Sequence, residues 1–205
     1  MTISVIGLNH KSANIDIRGK FSFTADSASL LLRRIKKVRD IHEVIVVSTC
    51  NRTEIYCEST NGADDIKNWL LAEKEYKSFA KHLYIHQEED AIEHLFKVVA
   101  GLDSMVIGES EVLGQVKTAY KTALENKSID GKLKRLFEYS FSVAKNVRTN
   151  TDIGGNAISF MYTSILLIKK IFSTVEEKKC LLIGAGEMTE LALKYLKSNN
   201  VNEIT

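Results

Sequence analysis

His42-Glu43-Val44-Ile45-Val46-Val47-Ser48-Thr49-Cys50-Asn51-Arg52-Thr53-Glu54-Ile55-Tyr56-Cys57 carries the pattern of two strands joined by a tight turn. His42 to Val47 is a β-branched run that reads as a strand, and Ser48-Thr49-Cys50-Asn51 stops it. Thr53 to Cys57 reads as the next strand, paired with the first across that tight connection. Toward the N-terminus, Ile3 to Leu8 reads as a buried strand ending in the loop Asn9-His10. A helix follows it, capped by Thr24 or Asp26, with Leu30, Leu31, Arg34, Ile35 and Val38 on its apolar side. Toward the C-terminus, Asn61 is expected to cap a helix through about Tyr76, with Asp64 and Asp65 suited to the positive end of its dipole. His82 to Ile85 reads as a short fourth strand. The order strand, helix, strand, strand, helix, strand is that of a ferredoxin-like α+β unit.

From Glu88 the pattern turns helical, with three-to-four spacing over Glu88 to Ala100, Leu113 to Asn126, Gly131 to Arg148 and Asn156 to Phe172. The last is apolar nearly all round and is expected to pack on several sides, as a spine between domains. Lys179-Cys180-Leu181-Leu182-Ile183 then reads as a buried strand, Gly184-Ala185-Gly186-Glu187-Met188-Thr189 as a glycine turn, and a helix runs to about Lys197. Val201 to Thr205 begins another strand. Strand, glycine turn and helix open a Rossmann-type domain, whose parallel sheet needs helices on both faces, so the chain reads as a fragment of a longer protein. The expected class is α/β: a ferredoxin-like unit with an added helical bundle over 1–154, a spinal helix over 155–174, and a truncated Rossmann start over 175–205.

The 205 residues carry 28 Lys and Arg against 26 Asp and Glu with 44% apolar content, which sets disorder, collagen and coiled coil aside. No apolar run reaches the roughly 18 to 20 residues of a bilayer span, so no membrane role is expected. Met-Thr-Ile-Ser shows no basic region leading into an apolar one, which makes a cytoplasmic location the default. Cys50, Cys57 and Cys180 are too few and scattered for a disulfide framework or a paired-cysteine zinc site, and no metal is expected.

Gly184-x-Gly186 after an apolar strand lets a backbone approach a pyrophosphate at a helix N-terminus; an ordinary strand-to-helix turn is the plainer alternative. Thr189 stands where a third glycine would be. Cys50 ends a strand pattern, and Arg52 with free backbone N–H groups in the turn could lower its pKa and make it a nucleophile. A small buried hydrophobe is the alternative reading, and it is the one preferred for Cys57 and Cys180. His94 lies off the apolar stripe of Ile92, Leu95, Phe96 and Val99, beside Ala91 and Val98, facing either a cleft or water. His82 and His86 fall on a strand and its end, which argues against a shared metal. Between Lys117 and Arg148 eight basic residues meet three acids, a local charge of +5 in a chain of +2. Such a cluster can hold nucleic-acid phosphates or be a solvated face.

Placed side by side, Gly7-Leu8-Asn9-His10-Lys11-Ser12-Ala13, the Ser48 to Glu54 block and Gly101-Leu102-Asp103-Ser104-Met105-Val106-Ile107-Gly108-Glu109 resemble the glutamyl-tRNA reductase family. Leu113-Gly114-Gln115-Val116-Lys117, Val147-Arg148-Thr149 and Gly184-Ala185-Gly186-Glu187-Met188 continue the likeness along the whole chain. The resemblance implies NADPH-dependent reduction of glutamyl-tRNA(Glu) to glutamate-1-semialdehyde, which opens tetrapyrrole synthesis. Cys50 would attack the aminoacyl ester to leave a thioester, His94 would orient the ester or move a proton, and Arg52 would hold the glutamate carboxylate. Thr49, Asn51, Ser104, Glu109, Ser110, Glu111 and Gln115 match positions lining the substrate pocket. Gly184, Ala185, Gly186, Glu187, Met188 and Thr189 match the NADPH-binding turn. The resemblance also implies a homodimer through C-terminal helices that this chain lacks, and a downstream glutamate-1-semialdehyde aminotransferase as a partner. Ser110-Glu111 replaces the family's usual Pro-Gln, bringing a negative charge toward the substrate. Asn14 stands where proline is usual, a change expected to alter only loop stiffness. Two other readings stay open: a generic NAD(P)-dependent dehydrogenase of a small metabolite, and a non-catalytic tRNA-binding module.

Overall fold

The computed structural model describes residues 1–109, 111–151, 153, 160–172 and 174–205, and divides into two compact units, Met1–Gly155 and Asn156–Thr205. In the first, Thr2–Asn9 (β1), Ile41–Ser48 (β2), Arg52–Ser59 (β3) and Tyr84–Gln87 (β4) form one antiparallel sheet in the order β2-β3-β1-β4. That order is the ferredoxin-like one expected from the sequence. Ala25–Ile35 (α2) and Ala63–Ala72 (α3) are its two crossover helices, and a short helix, Ile15–Lys20 (α1), precedes them. Glu88–Val99 (α4), Glu111–Glu125 (α5) and Lys132–Asn150 (α6) also pack against the sheet.

Strand register decides what meets those helices. Side chains alternate across a pleated sheet, so Arg52, Glu54, Tyr56 and Glu58 share one face of β3, together with their partners Asn9, Gly7, Val5 and Ile3 on β1. On β4, His86 and Tyr84 pair with Val5 and Gly7 and join the same face. The helical bundle covers this face: the Phe137 ring of α6 stands edge-on to Tyr56 at 5.3 Å, and His94 of α4 reaches Glu54. β3 is therefore buried along its whole length, charged residues included.

Several expectations need correction. Leu30 is exposed, and α2 buries Ala28, Leu31, Leu32 and Ile35 instead, because the buried stripe is rotated toward Leu32; Thr24 does cap the helix. Asn61 does not cap α3: Gly62, at φ +68°, holds that position, and Asn61 donates to the Asp65 carboxylate. The helix stops at Ala72, Lys77–His82 is a 3₁₀ turn, and the fourth strand begins at Tyr84 rather than His82. Asn14 does more than relieve loop stiffness, since its Oδ1 accepts the Ile17 N–H and caps α1.

In the second unit, Phe160–Ile171 (α7), Lys179–Cys180 (β5), Glu187–Ser198 (α8) and Glu203–Ile204 (β6) surround a small core of Ile165, Val175, Leu196 and Val201. β5 and β6 pair in parallel. The expected buried strand through Ile183 is only two residues long, and Ile183 is 88% exposed, because a two-stranded ribbon with one helix after its first strand leaves these positions uncovered. The apolar helix is likewise not packed all round: Leu167 and Ile171 face solvent, and Asn156 to Ser159 lie outside the described residues. No described helix is long and apolar enough to cross a membrane.

Candidate active site

Cys50 sits at the tip of the β2–β3 connection, a turn built from its own side chains. Thr49 Oγ1 accepts the Asn51 and Arg52 N–H groups at 3.2 and 3.1 Å, and the Arg52 carbonyl accepts the Thr49 N–H at 2.8 Å. The Asn51 carbonyl accepts the His10 N–H at 3.0 Å, tying the turn to the loop after β1. In that loop Asn9 Oδ1 accepts from the Lys11 and Ser12 amides. Thr49 and Asn51 thus frame the nucleophile candidate.

A third loop, Gly101 to Glu109, closes over the pair. Gly101 and Gly108 have φ of +77° and +84°, a region that favours glycine, and the Gly101 carbonyl accepts the Gly108 N–H at 3.0 Å. A Cβ on Gly101 would approach the Glu109 carbonyl at 3.1 Å. This loop carries Asp103, Ser104 and Glu109. Asp103 bridges Lys11, at 2.5 Å, and Arg52 Nη2, at 2.9 Å.

Behind Arg52 lies a buried polar network. Glu54 is fully buried and accepts from Arg52 Nη1 at 2.7 Å, His94 Nε2 at 2.8 Å, Tyr84 Oη at 2.5 Å and Tyr56 Oη at 2.7 Å. Burial alone would raise the Glu54 carboxyl, but the hydrogen bond from His94 and the charge of Arg52 hold it at about 2. An ionised carboxylate only accepts, so His94 Nε2 carries the proton in this contact. The His94 ring is stacked on His86 at 4.8 Å. Gly7 makes the network possible: its Cβ would stand 2.8 Å from Glu54 Cγ, where only hydrogen leaves room.

The expectation that Arg52 lowers the Cys50 pKa is corrected. Its guanidinium is almost wholly buried, held by Glu54 and Asp103. Cys50 is exposed at the turn, and its thiol is pushed up, first by desolvation from the groups crowded around it and then by the charges of Glu109 and Glu111, while the turn's own N–H and Arg18 pull the other way. Glu109 is buried, and that burial, with Glu111 nearby, raises its carboxyl in turn. Ser104 Oγ is close enough to offset part of that rise but makes no hydrogen bond of normal geometry among the described residues.

Unsatisfied buried polar atoms mark an open site, because each one costs free energy unless something binds it. Among the described residues, His10 Nδ1, Arg18 Nε and Gln115 Oε1 are of this kind. Arg18 also donates from Nη1 to the Ala13 carbonyl at 2.9 Å. Gln115 borders a cavity of about 150 Å³ that includes Phe23, Ser48 and Thr118.

Of the residues expected from the sequence, Thr49, Cys50, Asn51 and Arg52 share one turn, Ser104 and Glu109 the covering loop, and Glu111 and Gln115 the start of α5. His94 joins them through Glu54 and Arg52. Ser110 lies outside the described residues. The roles of Glu54, Tyr84, Asp103 and Arg18 were missed. The signal for Glu54 was present: Arg52 and Glu54 are opposite charges two apart in a strand, hence on one face. Cys57 is buried, contacts Ser4 Oγ at 3.2 Å and is pushed up to about 11, chiefly by burial.

In the second unit, Gly184 has φ +120° and Gly186 caps α8 in extended backbone with no side-chain cap. Nothing lies within 4 Å of a Cβ built on Gly186, so a diphosphate can approach the backbone N–H groups of Glu187 and Met188 at the helix N-terminus, while the Thr189 N–H is already held by the Gly186 carbonyl at 2.9 Å. These residues fit the diphosphate of a dinucleotide.

The family model "Glutamyl-tRNAGlu reductase, N-terminal domain" matches residues 6–151, and "Shikimate / quinate 5-dehydrogenase" matches residues 166–205. Glutamyl-tRNA reductases of Idiomarina loihiensis and Xylella fastidiosa are 42% and 43% identical over the whole chain, which spans 49% and 46% of their lengths. The solved glutamyl-tRNA reductase of Methanopyrus kandleri superposes with TM-score 0.64 at 25% identity, over 98% of this chain and 48% of that one. The chain spans about half the length of the relatives it matches.

Proposed function

The chain belongs to the glutamyl-tRNA reductase family, and from that premise we propose that Cys50 takes the glutamyl group from glutamyl-tRNA(Glu) as a thioester. The carrying observation is the arrangement at the β2–β3 turn: a thiol at the tip, under the negative charges of Glu109 and Glu111, two residues before a guanidinium that holds a carboxylate. A glutamyl ester presents an α-ammonium and a side-chain carboxylate, so it needs both. The substrate carboxylate replaces Asp103 on Arg52 Nη2, one carboxylate for another, while Glu54 keeps Nη1. Glu109 and Glu111 suit the α-ammonium, and Gln115 Oε1 is an acceptor in want of a donor. On this reading the acid at Glu111 is an asset.

Attack forms the Sγ–C bond and breaks the ester C–O bond, and the thiol proton ends on the departing tRNA hydroxyl. Glu109, whose raised carboxyl acts on the thiol through its charge, supports the reading as the carrier of that proton. His94 and Tyr84 fix Glu54, which fixes Arg52. Thr49, Asn51 and Ser104 line the pocket. Gly184 to Thr189 would hold NADPH by its diphosphate, and the group would supply the hydride that reduces a thioester to an aldehyde. The product, glutamate-1-semialdehyde, calls for an aminotransferase downstream.

The test mixes the protein with tRNA carrying labelled glutamate, without NADPH, and quenches in acid. Label that stays on the protein, leaves with hydroxylamine and is absent in Cys50→Ser is the expected result. Label that persists in Cys50→Ser would remove the assignment.

A further inference from the structure

Of the eight basic residues between Lys117 and Arg148, only some are free to meet a ligand. Lys132 is paired with Glu58 at 3.0 Å and Lys121 with Glu125 at 3.8 Å. Lys117, Lys145 and Arg148 have no ion-pair partner among the described residues, and all three line one open groove of about 440 Å³ between α5 and α6. Phe141 and the Ser142 hydroxyl share its wall, and no described acidic residue lines it. Lys117 Nζ lies 5.7 Å from the Phe141 ring centre, which puts a cation and an aromatic face at the same spot. The groove leads to the candidate active site: Arg148 Nη1 donates to the Glu109 carbonyl at 3.4 Å, and Glu109 acts on the Cys50 thiol.

Three unpaired cations and an aromatic ring are the pairing that single-stranded nucleic acid selects, phosphates for the charges and a base for the ring. From Phe141 to Arg148 the helix advances about 10 Å at 1.5 Å per residue, so the groove is a track with room for more than one anion. We propose that it holds the unpaired 3′ end of the tRNA, with phosphates on Lys117, Lys145 and Arg148 and a base against Phe141. The inference rests on the function proposed above and names where that substrate lies.

The test measures binding of deacylated tRNA(Glu), and of the same tRNA lacking its unpaired 3′ nucleotides, to the chain and to the triple variant Lys117→Gln, Lys145→Gln, Arg148→Gln. A charge-matched control carries Lys127→Gln, Lys134→Gln and Arg135→Gln, and melting curves establish that each variant folds. Should the triple variant fail to fold, the double variant of the two lysines, both exposed, replaces it. The expected result is at least a tenfold loss at about 0.1 M salt for intact tRNA, and a salt slope shallower by about 2. Truncated tRNA should bind the parent and the triple variant equally. Unchanged binding of intact tRNA, an equal loss with truncated tRNA, or an equal loss in the control would overturn the assignment. Glutamyl transfer to Cys50 with a groove variant that binds normally would remove the groove and leave the function; groove-dependent binding without transfer would do the reverse.

Discussion

The surroundings of the exposed Cys50 thiol oppose the thiolate: desolvation by neighbouring groups first, then the negative charges of Glu109 and Glu111. The ammonium of a glutamyl ester would relieve the same carboxylates. The charge contribution is separable. Glu109→Gln removes one anion, which favours the thiolate, so the Cys50 pKa falls. Alkylation of Cys50 by iodoacetamide, followed against pH, should shift its midpoint downward and run faster at pH 8. An unchanged or raised midpoint would show that Glu109 does not act on the sulfur. At this scale the sequence exposes Cys50 and its neighbours well, because the block from Ser48 to Glu54 is contiguous. It does not expose what Arg52 does, since its partner Asp103 comes from a loop far along the chain and its burial depends on helices covering the sheet.

The start of α6 shows the same limit for a whole element. Gly131 precedes the helix without a capping side chain, yet its N-terminus is satisfied from a distance. Glu43 of β2 accepts the N–H groups of Asp130, Gly131 and Leu133 at 2.7, 2.6 and 2.8 Å. Helical periodicity locates α6, but nothing local to it announces a cap supplied by a strand, and an acid inside a β-branched run reads as solvent-facing. Those three bonds hold the Glu43 carboxyl below the usual range against its burial. The sign follows: a carboxyl lowered on folding adds stability that is present above the unfolded value near 4.5 and fades as pH falls below it. Glu43→Ala should lower unfolding stability by about 2 kcal/mol at pH 7, measured by urea titration, with the gap to the parent closing under acid. A gap that stays constant from pH 7 to pH 3 would assign the loss to packing alone. The strand order was legible from the hairpin and the helix spacings. Register was not, and register gathers Arg52, Glu54 and Tyr84 on one face.

For the molecule as a whole, the two units carry different shares of the chemistry. Met1–Gly155 holds a continuous core and the described residues proposed to touch the glutamyl group; Asn156–Thr205 holds the glycine turn suited to a diphosphate. The sequence makes that turn plain, because glycines after an apolar strand need no tertiary context to be read. It overstates the strand before it: burial of Leu181 and Ile183 depends on neighbours, and β5 with β6 alone leaves them exposed. The glutamyl transfer proposed above draws on residues of the first unit, so its test on this chain uses no cofactor. Peptide mapping by mass spectrometry after incubation with glutamyl-tRNA(Glu) measures it most directly. One glutamyl increment on the peptide containing Cys50, lost with hydroxylamine, is the result predicted; an increment on Cys57 or Cys180, or none while tRNA is bound, would contradict the account.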